Sequence, residues 1–227
     1  MLEIKIAGEN TIIIYLSEQV SEHKIDDIAF FTALLKQELA NVIIDVVPSY
    51  TSLMLSYRLD KIDHDTLCHQ IRKLIETNTI MIKMNQTEVV DIPVLYDSDV
   101  ALDLAGYLHE KSLNLDTLIQ LHTERDYRVH AVGFSPAFAY LGTVEPRLVT
   151  ARLSTPRIQV PAGSVGIADN QTAVYPIASS GGWKIIGRTP LDLSLTNPDN
   201  INRFKLGDKV RFRSIEMAEY LALGGQI

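Results

Sequence analysis

One stretch, YPIASSGGWKIIGRTP from Tyr175 to Pro190, gathers a large aromatic, two adjacent glycines and cations in a short space. It holds Trp183, the single tryptophan of the chain. Gly181 and Gly182 carry no side chains, so a ligand or another backbone can come close beside the indole. Read as a strand, the segment puts Trp183, Ile185, Gly187 and Thr189 on one face and Lys184, Ile186 and Arg188 on the other. Trp183 and Arg188 then line one pocket only if a bulge or twist intervenes near Gly187. Arg157, in Thr155-Pro156-Arg157, and the upstream aromatics Phe134, Phe138 and Tyr140 complete the candidate set. Apolar walls, arginines and flexible turns suit a small anionic or amide-bearing molecule, because a guanidinium grips a carboxylate through two parallel hydrogen bonds. The alternative is a core tryptophan with a solvated Arg188, and the residues alone leave both open.

His122 ends the helix-like segment LIQLHTERDY. A histidine there can act as an acid or base near neutral pH, or simply interact with the helix dipole. Gly133-Phe134-Ser135-Pro136-Ala137 has the outline of a nucleophile elbow. That elbow needs a backbone N–H on the residue after serine, and Pro136 has none, so Ser135 is not expected to be a nucleophile. Ala162-Gly163-Ser164-Val165-Gly166 lacks the helix that should follow such an elbow. Its glycines permit a tight turn that brings Ser164 and backbone amides close to a ligand or to another strand. Neither G-x-x-x-x-G-K-[ST] nor G-x-G-x-x-G occurs, so no phosphate cradle of these types is expected. His64 and His69 are spaced wrongly to share a helix face, and no metal site is expected.

The bulk composition sets the frame for these residues. The chain has 227 residues, of which 46% are hydrophobic, enough for one large domain or two small ones. Lysine and arginine number 21 against 28 acids, a net charge of −7, with no basic face to neutralise nucleic-acid phosphates. Cys68 is alone and cannot form an internal disulfide. Ile12 to Leu16 is too short for a signal-peptide core or a membrane span, so a soluble cytoplasmic protein without membrane contact is expected.

An α+β fold in two domains, residues 1–90 and 91–227, must position the candidate residues. Thr11–Leu16 reads as a strand, followed by a helix from about Glu18 to Ala40 with Ser17 as its cap. Val42–Val47 and Ser52–Tyr57 read as strands, and Asp63 caps a second helix carrying Leu67, Ile71, Leu74 and Ile75. Glu88–Leu95 reads as a last strand, with Pro93 near an edge or end. The order β-α-β-β-α-β is that of a split βαβ, ferredoxin-like domain. Val100–His109 and Leu115–His122 then read as short helices and Tyr127–Val132 as a strand. From Gly133 on, frequent glycine and proline between short β-rich pieces, up to Lys209–Ile215, imply a compact all-β barrel or sandwich. The domain boundary falls near Asn85 to Asp99.

The ordered blocks LHTERDYRVHAVGFSPAFAYLG and STPRIQVPAGSVGIADNQTAVYPIASSGGWKIIGRTP resemble a family that includes the B-type component of bacterial 5-oxoprolinase, the kinase inhibitor KipI and allophanate hydrolase subunit 1. The resemblance covers most of residues 118–190. It departs from the usual pattern at Ala137, where glycine is usual, and at Ser180, where proline is usual. It implies a cyclophilin-like β-barrel and a role in ATP-dependent opening of the 5-oxoproline lactam to glutamate. The chain itself would carry no cofactor. ATP, bound with magnesium, would enter at the level of a complex with A-type and KipA-like C-type subunits. Arg157 and Arg188 would hold carboxylate or phosphate groups, with Phe134, Tyr140, Tyr175 and Trp183 as walls. Ser164 and Gln171 would supply hydrogen bonds, and His122 a proton. A KipI-like role, binding a histidine kinase and blocking its autophosphorylation, is the alternative.

Overall fold

The computed structural model describes residues 2–78 and 89–227, which fall into two compact units, Met1–Gln86 and Thr87–Ile227. Among the described residues no helix is long and apolar enough to cross a membrane.

The first unit is built from β1 (Glu3–Gly8), β2 (Thr11–Tyr15), α1 (Glu22–Glu38), β3 (Ile43–Ser49), β4 (Ser52–Tyr57) and α2 (His64–Asn78). Alternation decides its inner face: Ile12 and Ile14 of β2 and Leu53, Leu55 and Tyr57 of β4 are buried, while their neighbours along each strand are not. Helix α1 packs on β3 and β4 and touches α2. The caps differ in part from expectation. Asp63 accepts hydrogen bonds from the Thr66 N–H (2.9 Å) and hydroxyl (2.7 Å) as expected, whereas α1 is capped by Ser21 rather than Ser17. The sheet order is β1-β2-β4-β3, with every neighbouring pair antiparallel. Strands β2 and β3 therefore run parallel around β4, a split βαβ unit.

The last strand of the expected ferredoxin-like domain is elsewhere. The place beside β2 is taken by β1, whose Ile4 and Ile6 alternate with Glu3 and Lys5, itself a strand pattern. Val89–Val94, here β5, instead pairs in parallel with Lys209–Ser214 in the second unit. Glu88, the first residue of the expected strand, and Asn85, the near end of the expected boundary, lie outside the described residues. The reason for the correction is burial: Ile92 and Val94 are fully enclosed in the second unit's core.

That unit continues with α3 (Leu104–Lys111), α4 (Leu115–Thr123), β6 (Asp126–Val132), β7 (Ala139–Gly142), β8 (Arg157–Val160), β9 (Ser164–Ala168), β10 (Gln171–Val174), β11 (Ser179–Gly181), β12 (Lys184–Arg188), β13 (Lys209–Ser214) and α5 (Met217–Ala222). Seven strands form one sheet in the order β12-β9-β10-β7-β6-β13-β5, and β8 and β11 form a separate ribbon. The two ends of the large sheet meet in an antiparallel bridge between Leu95 and Arg188. Each backbone N–H donates to the other's carbonyl at 2.9 Å. The sheet is thus a nearly closed barrel, which removes most of its free edge. Gly187 makes this seam possible. A Cβ at that position would lie 2.7 Å from Val94 Cγ1 and 3.0 Å from the Leu95 carbonyl oxygen. Gly187→Ala should therefore cost about 1–3 kcal/mol, read as a lower urea midpoint. Gly106→Ala, on an exposed helical position where an added Cβ meets nothing within 4 Å, should instead stabilise by up to ~1 kcal/mol.

Two cores lie on opposite faces of β9 and β10. Val165, Ile167 and Val174 join the main core with Leu104, Tyr107 and Leu118 of the helices. Ala168, Ala173 and Tyr175 face the other way and pack with Phe138, Val160, Trp183 and Ile185. Ile185 and the adjacent Ile186 bury into different cores by the ordinary alternation of a strand, and the register of β12 against β9 shifts in a bulge between Ile185 and Gly187.

Candidate functional site

The smaller core is open at one side. There, Phe134, Phe138, Tyr140, Arg152, Pro156, Tyr175, Ser180, Gly181, Gly182 and Trp183 line a cavity of about 240 Å³. Phe138 is its hub. Its ring meets Phe134, Tyr140, Tyr175 and Trp183 edge to face, at centroid distances of 5.3, 4.9, 5.3 and 5.8 Å. Such geometry sets the positive ring edge against the negative face of its neighbour and fixes each ring's orientation. Gly181 is required by this packing, since a Cβ there would stand 2.8 Å from Tyr175 Cζ. Burial pushes the Tyr175 phenol up, and its hydroxyl is hydrogen-bonded to the Trp183 backbone. Tyr175 is therefore a neutral wall, not a base.

The loop that carries Phe134 is strained. Phe134 has φ 74° and Ala137 φ 63°, the left-handed region that costs a residue with a Cβ about 1–2 kcal/mol. Ala137, standing where glycine is usual, thus keeps the glycine conformation. The loop is held by the Gly133 N–H donating to the Phe138 carbonyl at 3.0 Å and the Phe138 N–H donating to the Ser135 carbonyl at 3.1 Å. It leaves the Phe134 side chain at the rim, 63% exposed. Ser180 falls in the irregularity where β11 pairs with β8 between Ser179 and Gly181. A proline there would interrupt no regular ladder, so the departure to serine preserves the turn.

Among the described residues one cation lines the cavity, Arg152, which is not one of the expected pair. Arg152 Cζ stands 6.0 Å from the Trp183 ring centroid, and its Nε donates to Asp169 Oδ2 at 3.3 Å. Arg157 is instead committed to the fold. Its two terminal nitrogens donate to the two oxygens of Asp103 at 3.0 and 2.6 Å, and Asp103 also accepts from the Ile185 N–H at 2.7 Å. Arg188 donates to the carbonyls of Ala162 (2.9 Å) and Gln226 (3.1 Å) and lines a different hollow beside Gly163 and Tyr220. The bulge exists, yet Trp183 and Arg188 still face different cavities.

His122 requires a correction too. It is fully buried in the barrel, stacked on Phe212 at 4.5 Å. The Thr172 hydroxyl donates to the Gly166 carbonyl at 3.0 Å, so it accepts from His122 Nε2–H at 2.9 Å. Nδ1 is then the acceptor for the Tyr96 hydroxyl at 2.7 Å. Burial drives the imidazole pKa down to about 3, so this ring is neutral, doubly hydrogen-bonded and out of reach of any ligand. Ser164 is also fully buried, with no hydrogen-bond partner for Oγ among the described residues, and neither it nor the half-buried Gln171 lines the cavity. The structure therefore unites Phe134, Tyr140, Tyr175 and Trp183, adds Arg152, and disperses the other expected residues. Arg152 carried a weak signal, lying only five residues before Arg157. What selects it is the Thr150–Asp169 bridge, a tertiary pairing.

Comparison with known proteins agrees with this architecture. Residues 2–201 match the family model described as carboxyltransferase domain, subdomain C and D. The chain is 30% identical to the B-type component of 5-oxoprolinase from Bacillus subtilis (strain 168), over 97% of this chain and 95% of that protein. Among solved structures, TTHA0988 superposes with a TM-score of 0.76 at 31% identity, covering 91% of this chain and 40% of that longer one. The K. lactis urea amidolyase shares the fold, with a TM-score of 0.71 at 14% identity over 97% of this chain and 15% of that one. With a family match over most of its length and a full-length relative at that identity, the chain belongs to the carboxyltransferase-domain family, subdomains C and D, alongside the B-type components of 5-oxoprolinases.

Proposed function

We propose that this chain is the B-type component of an ATP-dependent 5-oxoprolinase and that its aromatic cavity holds the lactam substrate. The observation that carries the reading is the make-up of the cavity: five aromatic side chains, hydroxyls and one guanidinium. A flat five-membered ring fits between aromatic faces, and its carboxylate is the natural partner of Arg152.

The same lining explains why the chain would work only in a complex. Among the described residues, no histidine, carboxylate, lysine or thiol lines the cavity, and Tyr175 is held neutral. Binding and orientation are available here, while proton transfer and the chemistry of ATP are not. Partner subunits of the A and C types would supply them, consuming ATP to activate the lactam carbonyl. Transfer of the γ-phosphoryl group of ATP to the lactam oxygen would release ADP. Water would then add to the activated carbon, the C–N bond would break with the nitrogen taking a proton to give the amino group, and inorganic phosphate would leave to give glutamate.

Reconstitution with A- and C-type subunits, followed by an assay of ATP-dependent glutamate release from 5-oxoproline, tests the proposal. Arg152→Ala removes charge-assisted hydrogen bonds of about 1.5–3 kcal/mol, so KM should rise roughly ten- to a hundred-fold without loss of stability. Arg157→Ala should lower stability by unpairing Asp103 and leave KM little changed. Wild-type KM in the Arg152→Ala complex would remove the substrate site from this cavity.

A further inference from the structure

We propose that Asp169 is an internal carboxylate that occupies Arg152 in the empty site and is displaced by the carboxylate of the ligand. This rests on the reading of the aromatic cavity as the lactam site. Asp169 is the first residue after β9 in the turn to β10 and has φ 53°. Its backbone is fixed by two hydrogen bonds with Thr150: its N–H donates at 2.6 Å, and its carbonyl accepts at 3.2 Å. The pairing brings its side chain to Arg152, two residues beyond Thr150.

The contact between the two side chains is of a kind that yields. Asp169 engages only Nε, at 3.3 Å, and the two side chains are 58% and 63% exposed. No other hydrogen bond of this guanidinium is present among the described residues, so both terminal nitrogens are open to a bidentate partner. Arg157, with its enclosed two-pronged pair to Asp103, shows what a permanent structural pair in this fold looks like. An exposed single-point pair contributes little, so a ligand carboxylate that takes both terminal nitrogens brings a second negative charge beside Asp169, and the repulsion between the two carboxylates drives the weaker Asp169 contact off. A neutral ligand has nothing with which to displace Asp169. The pair thereby lowers the affinity for ligands with an anionic substituent and leaves that for neutral ligands unchanged.

Asn tolerates the left-handed backbone, so Asp169→Asn removes the competing charge while keeping the turn. Binding is read from the fluorescence of Trp183, the single tryptophan, in the chain alone and in the reconstituted complex. The probes are 5-oxoproline, its carboxamide and 2-pyrrolidone. Asp169→Asn should tighten 5-oxoproline about three- to five-fold, which is about 1 kcal/mol or less, and leave the two neutral probes unchanged. In the complex the change should fall on KM and spare kcat. Unchanged or weaker 5-oxoproline binding in Asp169→Asn would overturn the proposal while leaving the site standing, provided Arg152→Ala still loses the preference for the carboxylate. Absence of any carboxylate preference in wild-type protein, alone and in the complex, would overturn the site and the proposal together.

Discussion

Acid should loosen the second unit well before its carboxylates protonate, because His122 is buried as the neutral ring. Its folded pKa is about 3 against an ordinary 6.5, so the unfolded chain takes up a proton that the folded chain refuses. The stability from this group is complete above pH 6.5 and is lost as the pH falls towards 3, at about 1.4 kcal/mol per pH unit. By pH 4.5 the loss from this one ring reaches about 2–3 kcal/mol. Urea unfolding across this range, with proton uptake measured at pH 5, should show about one more proton bound on unfolding than in His122→Gln, and a steeper fall in midpoint. A His122 resonance that titrates near pH 6 in the folded protein would contradict the expectation without recourse to a variant.

The second large effect is expected at Trp183. The indole is 5% exposed and packs in the small core with Phe138, Tyr175 and Ile185. Trp183→Ala empties the centre of that core and should cost about 3–5 kcal/mol, lowering the melting temperature by roughly 6–20 °C for a chain of this size. Circular dichroism is the suitable readout, since the variant has no tryptophan. The same variant should lose ligand binding, so its value lies in contrast with Arg152→Ala, which should lose binding at unchanged stability. A Trp183→Ala protein as stable as wild type would show that the indole is only a wall of the cavity and not part of the core.

At sequence level, core and wall stood as alternatives for this residue, yet Trp183 is both. Its neighbours along the strand were legible, because a period of two places it with Ile185. The same period of two sends Ile185 and Ile186 into different cores, whereas the bulge after Ile185 was foreseen only as a condition. Helices α3 and α4 and strands β6 and β13 were legible to within a few residues from apolar periodicity. The allegiance of Val89–Val94 was not, since a buried apolar strand suits either neighbouring sheet and its partner stands at Lys209–Ser214. The arginines were misread for a related reason. Arginine type and a nearby motif cannot tell a free guanidinium from one neutralised by Asp103, 54 residues away. His122 looked reactive because a helix end is usually wet, and here the barrel closes over it.

The pairing of β5 with β13 has a temporal consequence. The first strand of the second unit lies beside its last, more than a hundred residues later in the chain, so during synthesis β5 must wait for β13 before the barrel can close. Contacts of such long sequence separation slow folding, since loop-closure entropy is lost before the pairing is gained. Until then Ile92 and Val94 are an exposed apolar strand on the nascent chain. Joining residues near 214 and 89 through a crossover of about a dozen residues or more, as parallel strands require, and opening the chain at a surface turn would make that pairing more local, and the barrel should then fold faster from the same side chains.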